Sequence, residues 1–218
     1  MAENRALSAK LNKHFAAIGA AAAAVTGLGI AQQAEAALVY SGVVNLNIPS
    51  STNGLYLNVV TGANNLPAPG TAGSTVPGWD INPWSSTAMN FFTSATSGSA
   101  MVVSSGTVVA NLTPGAIVDA TSTFQATAGT TSASTTFALN SSDNLFGFRF
   151  LNENTGQTHF GWGRVSLAGG LGTQPRSLVE YAYNDVPGAG VEAGVVPEPT
   201  GLGLLAIGAA GLVARRRK

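Results

Sequence analysis

Residues 145–151 read LFGFRFL, and residues 160–167 read FGWGRVSL. Every second residue in the middle of the first run is a phenylalanine, and this spacing places three aromatic rings on one face of a β-strand: Phe146, Phe148 and Phe150. A row of rings on one face of a strand needs an opposing layer to bury it. These two runs therefore predict a sheet with a buried face.

The same period-two pattern returns in short runs on both sides of this stretch, and no amphipathic helix interrupts it. Turn-forming residues separate the runs, as at Asn53-Gly54 and Pro77-Gly78. The further runs are Leu55 to Val60, Met101 to Leu112, Ser134 to Leu139 and Leu178 to Tyr183. We expect an all-β body over residues 37–194, built as an antiparallel β-sandwich or jelly roll.

Composition excludes several kinds of chemistry. The chain has 218 residues and a formal net charge of zero, but its basic residues are concentrated at the two ends. Between Ala37 and Val196, three arginines and seven carboxylates leave a net charge of −4. Such a body has no basic surface for nucleic acid. It also has no lysine for amine catalysis, and the whole chain has no cysteine for disulfides, thiolate catalysis or a zinc site.

Residues 1–36 resemble a secretory signal peptide with a helical apolar core. A basic stretch comes first, an apolar run follows from Phe15 to Ile30, and Ala34-Glu35-Ala36 supplies the small residues that a signal peptidase requires. The sequence predicts export by the Sec machinery and a mature chain that begins at Ala37. The alternatives are an uncleaved N-terminal helix and an ordinary alanine-rich helix.

The carboxyl end has three parts in a fixed order: Pro197-Glu198-Pro199, an uncharged stretch over residues 201–214, and a cationic cluster of Arg215, Arg216, Arg217 and Lys218. As a helix, the uncharged stretch would span about 21 Å, which is less than the roughly 30 Å of a bilayer core. The terminal cations compensate by reaching the headgroups on the cytoplasmic face. The two prolines keep Glu198 in an extended, exposed segment on the other side.

These three parts resemble the PEP-CTERM sorting signal of Gram-negative, exopolysaccharide-producing bacteria. The resemblance implies that an integral-membrane exosortase recognises the motif at residues 195–218, removes the tail, and releases or re-attaches the protein at the cell surface. The protein would then be anchored in the membrane only before processing. An anchor that is never processed is the alternative. Residues 145–194 also resemble the strand set often found upstream of such tails, which implies a β-sandwich but no activity.

Few residues of the body suggest catalysis or metal binding. His159 is the single histidine of the mature body and is better explained as a packed side chain. A glycosidase would need two carboxylates, and four lie close together in sequence without a spacing that selects a pair: Asp143, Glu153, Glu180 and Asp185. Asp143-Asn144 and Asn152 to Asn154 offer oxygen ligands for calcium, but turn formation explains them better. We assign no catalytic residue, metal or cofactor.

Trp79 and Trp84 lie in a segment, residues 77–84, that is interpreted as a loop. Exposed aromatic rings beside Asp80 and Asn82 can stack on sugars, although capping the core is the more ordinary role of such rings. The sequence thus favours a non-catalytic protein of the cell surface or matrix, associated with extracellular polysaccharide. A carbohydrate-binding module that uses the two tryptophans and a secreted glycan-active hydrolase remain the alternatives.

Overall fold

The computed structural model describes residues 38–50, 53–66, 76–94, 96, 98–130 and 136–196. Fifteen strands and no helix lie in these ranges. The strands are β1 (Leu38–Tyr40), β2 (Leu46–Asn47), β3 (Tyr56–Leu57), β4 (Asn64–Asn65), β5 (Ile81–Trp84), β6 (Met89–Thr93), β7 (Ala100–Ser105), β8 (Val108–Val109), β9 (Ile117–Val118), β10 (Phe124–Gln125), β11 (Thr127–Thr130), β12 (Ser141–Asn152), β13 (Gln157–Leu167), β14 (Ser177–Asn184) and β15 (Val191–Glu192). The all-β class is confirmed. The predicted signal helix and hydrophobic C-terminal helix lie outside the described residues.

Thirteen of these strands form one sheet, in the order β1-β14-β13-β12-β7-β8-β11-β6-β5-β3-β4, with β10 beside β7 and β2 beside β14. The sheet curls into a half-barrel. Its pairs are antiparallel except for a single parallel contact between β8 and β11. The more specific expectation of a sandwich or jelly roll is not confirmed, because one curled sheet takes the place of two separate layers.

The predicted phenylalanine row lies on the inner face of this curl. Phe146, Phe148 and Phe150 are fully buried, and the ring of Phe146 lies 4.8 Å from that of Phe91 on β6. The opposing layer is therefore a distant part of the same sheet. On β13, Gly163 pairs with Phe146, and a methyl group at Gly163 would overlap the phenylalanine ring. The two glycines of the GWG sequence thus leave room for the aromatic rings of β12.

A second, smaller core covers the outer face of β12 and β13. It contains Trp162 and Leu145, both fully buried, together with Val191 and Ala193 near the end of the described chain. β15 pairs with β9 in a separate two-stranded sheet, and this pair closes over the outer core. The folded body consequently has apolar layers on both faces of its long central strands.

Two local predictions are wrong. Residues 136–139 do not form a strand, because the fully buried Asn144 side chain bonds the backbone of Ala138 in place of a neighbouring strand. Residues 81–84, interpreted as a loop, form β5. Proline is tolerated at position 83 because its carbonyl accepts from the amide of Leu55, which lies just before β3. The N–H and C=O of one strand residue point to the same side, so the N–H that proline lacks would also have pointed past the end of β3, where it would not have joined a strand pair.

Candidate functional site

The two candidate tryptophans have different surroundings. Trp79 is half-buried: its ring stacks on Phe92 with centroids 5.9 Å apart and meets Tyr56 edge-on at 4.8 Å. Phe92 alternates with the buried Phe91 along β6 and so lies on the face opposite the main core. Trp84, at the end of β5, is 37% exposed. Neither tryptophan belongs to the two core clusters.

Trp79 lines a cleft of about 240 Å³ that opens at one end of the curled sheet. Its described walls come from three segments that are distant in sequence: the turn before β5, the residues after β6, and the β12–β13 hairpin. The lining residues are Gly78, Trp79, Ser94, Thr96, Leu151 and Glu153. Trp84 is not among them. The sequence identified Trp79 and Glu153 separately, but nothing in their spacing of 74 positions indicated that they meet.

Two of the four candidate carboxylates belong to a charged network on the outer face. Arg164 donates from Nε to Glu180 at 2.7 Å and also pairs with Asp143. The Tyr40 hydroxyl donates to the second oxygen of Glu180 at 2.5 Å. Both oxygens of Glu180 are therefore engaged, and neither Asp143 nor Glu180 lines the cleft. The contacts of this pair are those of a structural ion-pair network.

This network predicts a dependence of stability on alkaline pH. The hydrogen bond to Glu180, followed by burial and the negative charge of Glu180, raises the pKa of Tyr40 from 10.0 to about 12. Above pH 10 the Tyr40 hydroxyl keeps its proton in the folded protein but loses it in the unfolded chain. The stabilisation from its hydrogen bond to Glu180 is therefore complete below pH 10 and is lost as the pH rises to about 12. Urea unfolding across this range should show the stability difference between wild type and Tyr40→Phe shrinking with pH.

Tyr40→Phe is the appropriate comparison because burial also raises the pKa of Tyr181 and Tyr183. Their contribution is common to both proteins and cancels in the difference. A difference in unfolding free energy that stays constant from pH 10 to pH 12 would contradict the assignment.

The contacts of His159 are those of a packed side chain. The ring is 2% exposed, stacks on Phe150, and donates from Nδ1 to the carbonyl of Asn184 at 2.8 Å. Of the candidate calcium ligands, Asn152 forms a turn in which its side chain accepts from the amide of Asn154 at 2.9 Å. Asp143 and Asn144 lie on β12 rather than in the turn expected from the sequence, with Asp143 paired to Arg164 and Asn144 fully buried. In the described part of the chain, no group of three or more histidine, cysteine or acidic residues could hold a metal ion.

The body holds its C-terminal strand firmly up to Ala193. This residue is fully buried, its amide donates to Ala116 at 2.8 Å, and its carbonyl accepts from Gly115 at 2.9 Å. Gly194 has a φ of +74°, and a side chain there would press on Leu145. Val195 and Val196 are then 43% and 40% exposed. The described chain therefore leaves the fold at residue 195.

The family model for the PEP-CTERM protein-sorting motif matches residues 195–218. The chain carries a PEP-CTERM sorting motif. The match begins two residues after Ala193, the last buried residue of the described chain, and the motif implies exosortase-dependent sorting of an exported protein. The sequence-predicted motif residues lie outside the described part of the structure: Pro197, Glu198, Pro199, Arg215, Arg216 and Arg217. So do the residues of the predicted signal cleavage site, Ala34, Ala36 and Ala37.

The other comparisons add no relative. No curated protein and no solved structure matches the chain. Within the described residues, no helix has the length and apolar character needed to span a membrane.

Proposed function

We propose that this protein is a non-catalytic component of the cell surface or extracellular matrix of a Gram-negative bacterium, associated with extracellular polysaccharide. The observation that carries the proposal is the PEP-CTERM motif at residues 195–218. Sec export and signal peptidase deliver the chain across the inner membrane. The tail anchors it there until the exosortase removes residues beyond the Pro-Glu-Pro segment.

The contacts of the body support a non-catalytic role. Glu180 and Asp143 are held by Arg164, and Glu153 accepts a hydrogen bond from Asn58. A glycosidase needs two carboxyl groups that face the same sugar bond. Of the four candidate carboxylates, the described lining of the cleft beside Trp79 includes only Glu153, while Asp143 and Glu180 bond Arg164 on the outer face.

The proposal is tested by expressing the full chain in an exosortase-containing, polysaccharide-producing host. Mass spectrometry of the surface protein should show an amino terminus at Ala37 and the loss of residues 201–218. The mature protein should fractionate with the polysaccharide matrix and leave it when the polysaccharide is digested. Surface protein that retains Arg215 to Lys218, or mature protein recovered wholly free of polysaccharide, would contradict the proposal.

A further inference from the structure

The cleft beside Trp79 combines an aromatic wall that its neighbours hold in place with an apolar side chain opposite. Tyr56 and Phe92 contact two sides of the indole, which limits the motion of the ring. Leu151, on the β12–β13 hairpin, lines the same cleft. The C–H faces of a sugar ring pack against such surfaces without loss of hydrogen bonds, because its hydroxyl groups point outward around the ring.

Glu153 supplies a fixed polar group at the rim of this cleft. Its Oε1 accepts from Nδ2 of Asn58, a side chain that is only 1% exposed. The same Nδ2 donates to the carbonyl of Pro77 at 3.0 Å, while Asn58 Oδ1 accepts from the amides of Val60 and Thr61. Asn58 therefore joins the Trp79 turn to the Glu153 hairpin. A positioned carboxylate with a second oxygen can accept sugar hydroxyl groups.

Gly78 is required for this arrangement. It has a φ of +62°, and a side chain there would collide with both the Glu153 carboxylate and Asn58. The glycine lets the backbone beside Trp79 approach the carboxylate closely. The two walls of the cleft are consequently set at a fixed spacing by backbone geometry.

The charge around the cleft selects against acidic ligands. Glu153 is the one acidic side chain among the described lining residues. None of the described lining residues is a cation. An acidic sugar would face the Glu153 carboxylate without a countercharge, whereas a neutral sugar would meet no such repulsion.

We propose that this cleft binds one neutral, hydroxyl-rich sugar residue of a polysaccharide, with its ring packed on Trp79 and its hydroxyl groups donating to Glu153. A volume of about 240 Å³ lies just below the roughly 300–1,000 Å³ typical of drug-sized ligands, which suits a single ring with its chain continuing into solvent. The inference rests on the proposed association with polysaccharide and names the class of ligand.

The test uses the full secreted protein on an array of neutral, acidic and amino-sugar oligosaccharides, followed by titration of the strongest neutral binder. Trp79→Ala should weaken binding at least about tenfold, because it removes the stacking surface. Thr96→Met should also weaken it, because a longer side chain at this exposed position fills the cleft without removing packing contacts. Trp84→Ala removes an equally large ring outside the cleft and should bind like wild type.

Each other outcome overturns the assignment: wild type binding no neutral glycan, binding only acidic ones, unchanged affinity in Trp79→Ala and Thr96→Met, or an equal loss in Trp84→Ala. Thermal unfolding of each variant separates lost binding from lost folding. If Trp79→Ala proves unstable, the affinity of Thr96→Met decides the test instead. The same variants are also assayed in the producing host. If wild type and Trp79→Ala both remain in the matrix, the cleft assignment fails and the proposed function stands; if wild type itself leaves the matrix, the proposed function fails.

Discussion

Glu198→Gln should leave most of the exported protein with its carboxyl-terminal tail intact, whereas Glu192→Gln should be processed like the wild-type chain. The substitution preserves the size of the side chain and removes its charge. A hydrogen bond to a charged group contributes about 1.5–3 kcal/mol, so its loss between motif and sorting enzyme should reduce the processed fraction at least about tenfold. Mass spectrometry of the carboxyl terminus gives this fraction directly.

Glu192 is the matched control because it is an exposed glutamate on β15, only six positions earlier in the chain. It belongs to the folded body, whereas the family match begins at residue 195. The thermal unfolding midpoint of Glu192→Gln should equal that of wild type, since Glu192 is exposed and lies outside both core clusters. Equal processing of the two variants would contradict recognition through the Pro-Glu-Pro segment.

The long central strands could be predicted because their pattern is local. Alternating phenylalanines in residues 145–151 correctly indicated a strand whose phenylalanine face is buried, but not the second core that covers its other face. The sequence could not predict what covers these phenylalanines. The alternating pattern is the same whether the covering layer is a second sheet or a distant part of one curled sheet. Phe91 on β6 supplies that layer only because of the strand order.

The candidate binding site shows the same limit. Trp79 and Glu153 were each noted as possible ligand-binding or acidic residues, but their proximity depends on pairings between strands far apart in sequence. Asn58, which connects them, has no distinguishing motif. The pairing of Trp79 with Trp84 came from closeness in sequence alone, and β5 carries Trp84 away from the cleft.

The role of Arg176 was also invisible in the sequence, where it is one arginine after Pro175. In the fold its side chain is 1% exposed and reaches five backbone carbonyls. Nε donates to Ile48 at 3.0 Å, Nη1 to Ala88 at 3.0 Å and Leu171 at 2.5 Å, and Nη2 to Pro49 at 2.7 Å and to Ser85. Burial lowers its pKa to about 10, which still leaves the guanidinium charged at neutral pH.

Arg176→Met should therefore destabilise the body by at least about 3 kcal/mol, because each buried carbonyl left without a donor costs about 1–3 kcal/mol. This is a large share of the roughly 5–15 kcal/mol that holds a typical domain together. Methionine fills much of the same volume but donates no hydrogen bond, so carbonyls from three separate segments lose their partner in the interior. The stability of Arg176→Lys should lie between those of wild type and Arg176→Met, because an ammonium group has three N–H donors and cannot replace the five planar donors of a guanidinium. Urea unfolding of the secreted protein measures both differences.

Arg149→Met is the control for the same chemical change at the surface. Arg149 is exposed, with its guanidinium 4.9 Å from the centre of the Phe124 ring, and such a contact contributes about 0.5–1 kcal/mol. If Arg176→Met lowered the free energy of unfolding no more than Arg149→Met, the five carbonyls would have other hydrogen-bond donors. The assignment of the Arg176 guanidinium as the group that joins them would then be wrong. The larger loss is expected because water cannot reach the carbonyls around Arg176, whereas it replaces the arginine freely at position 149.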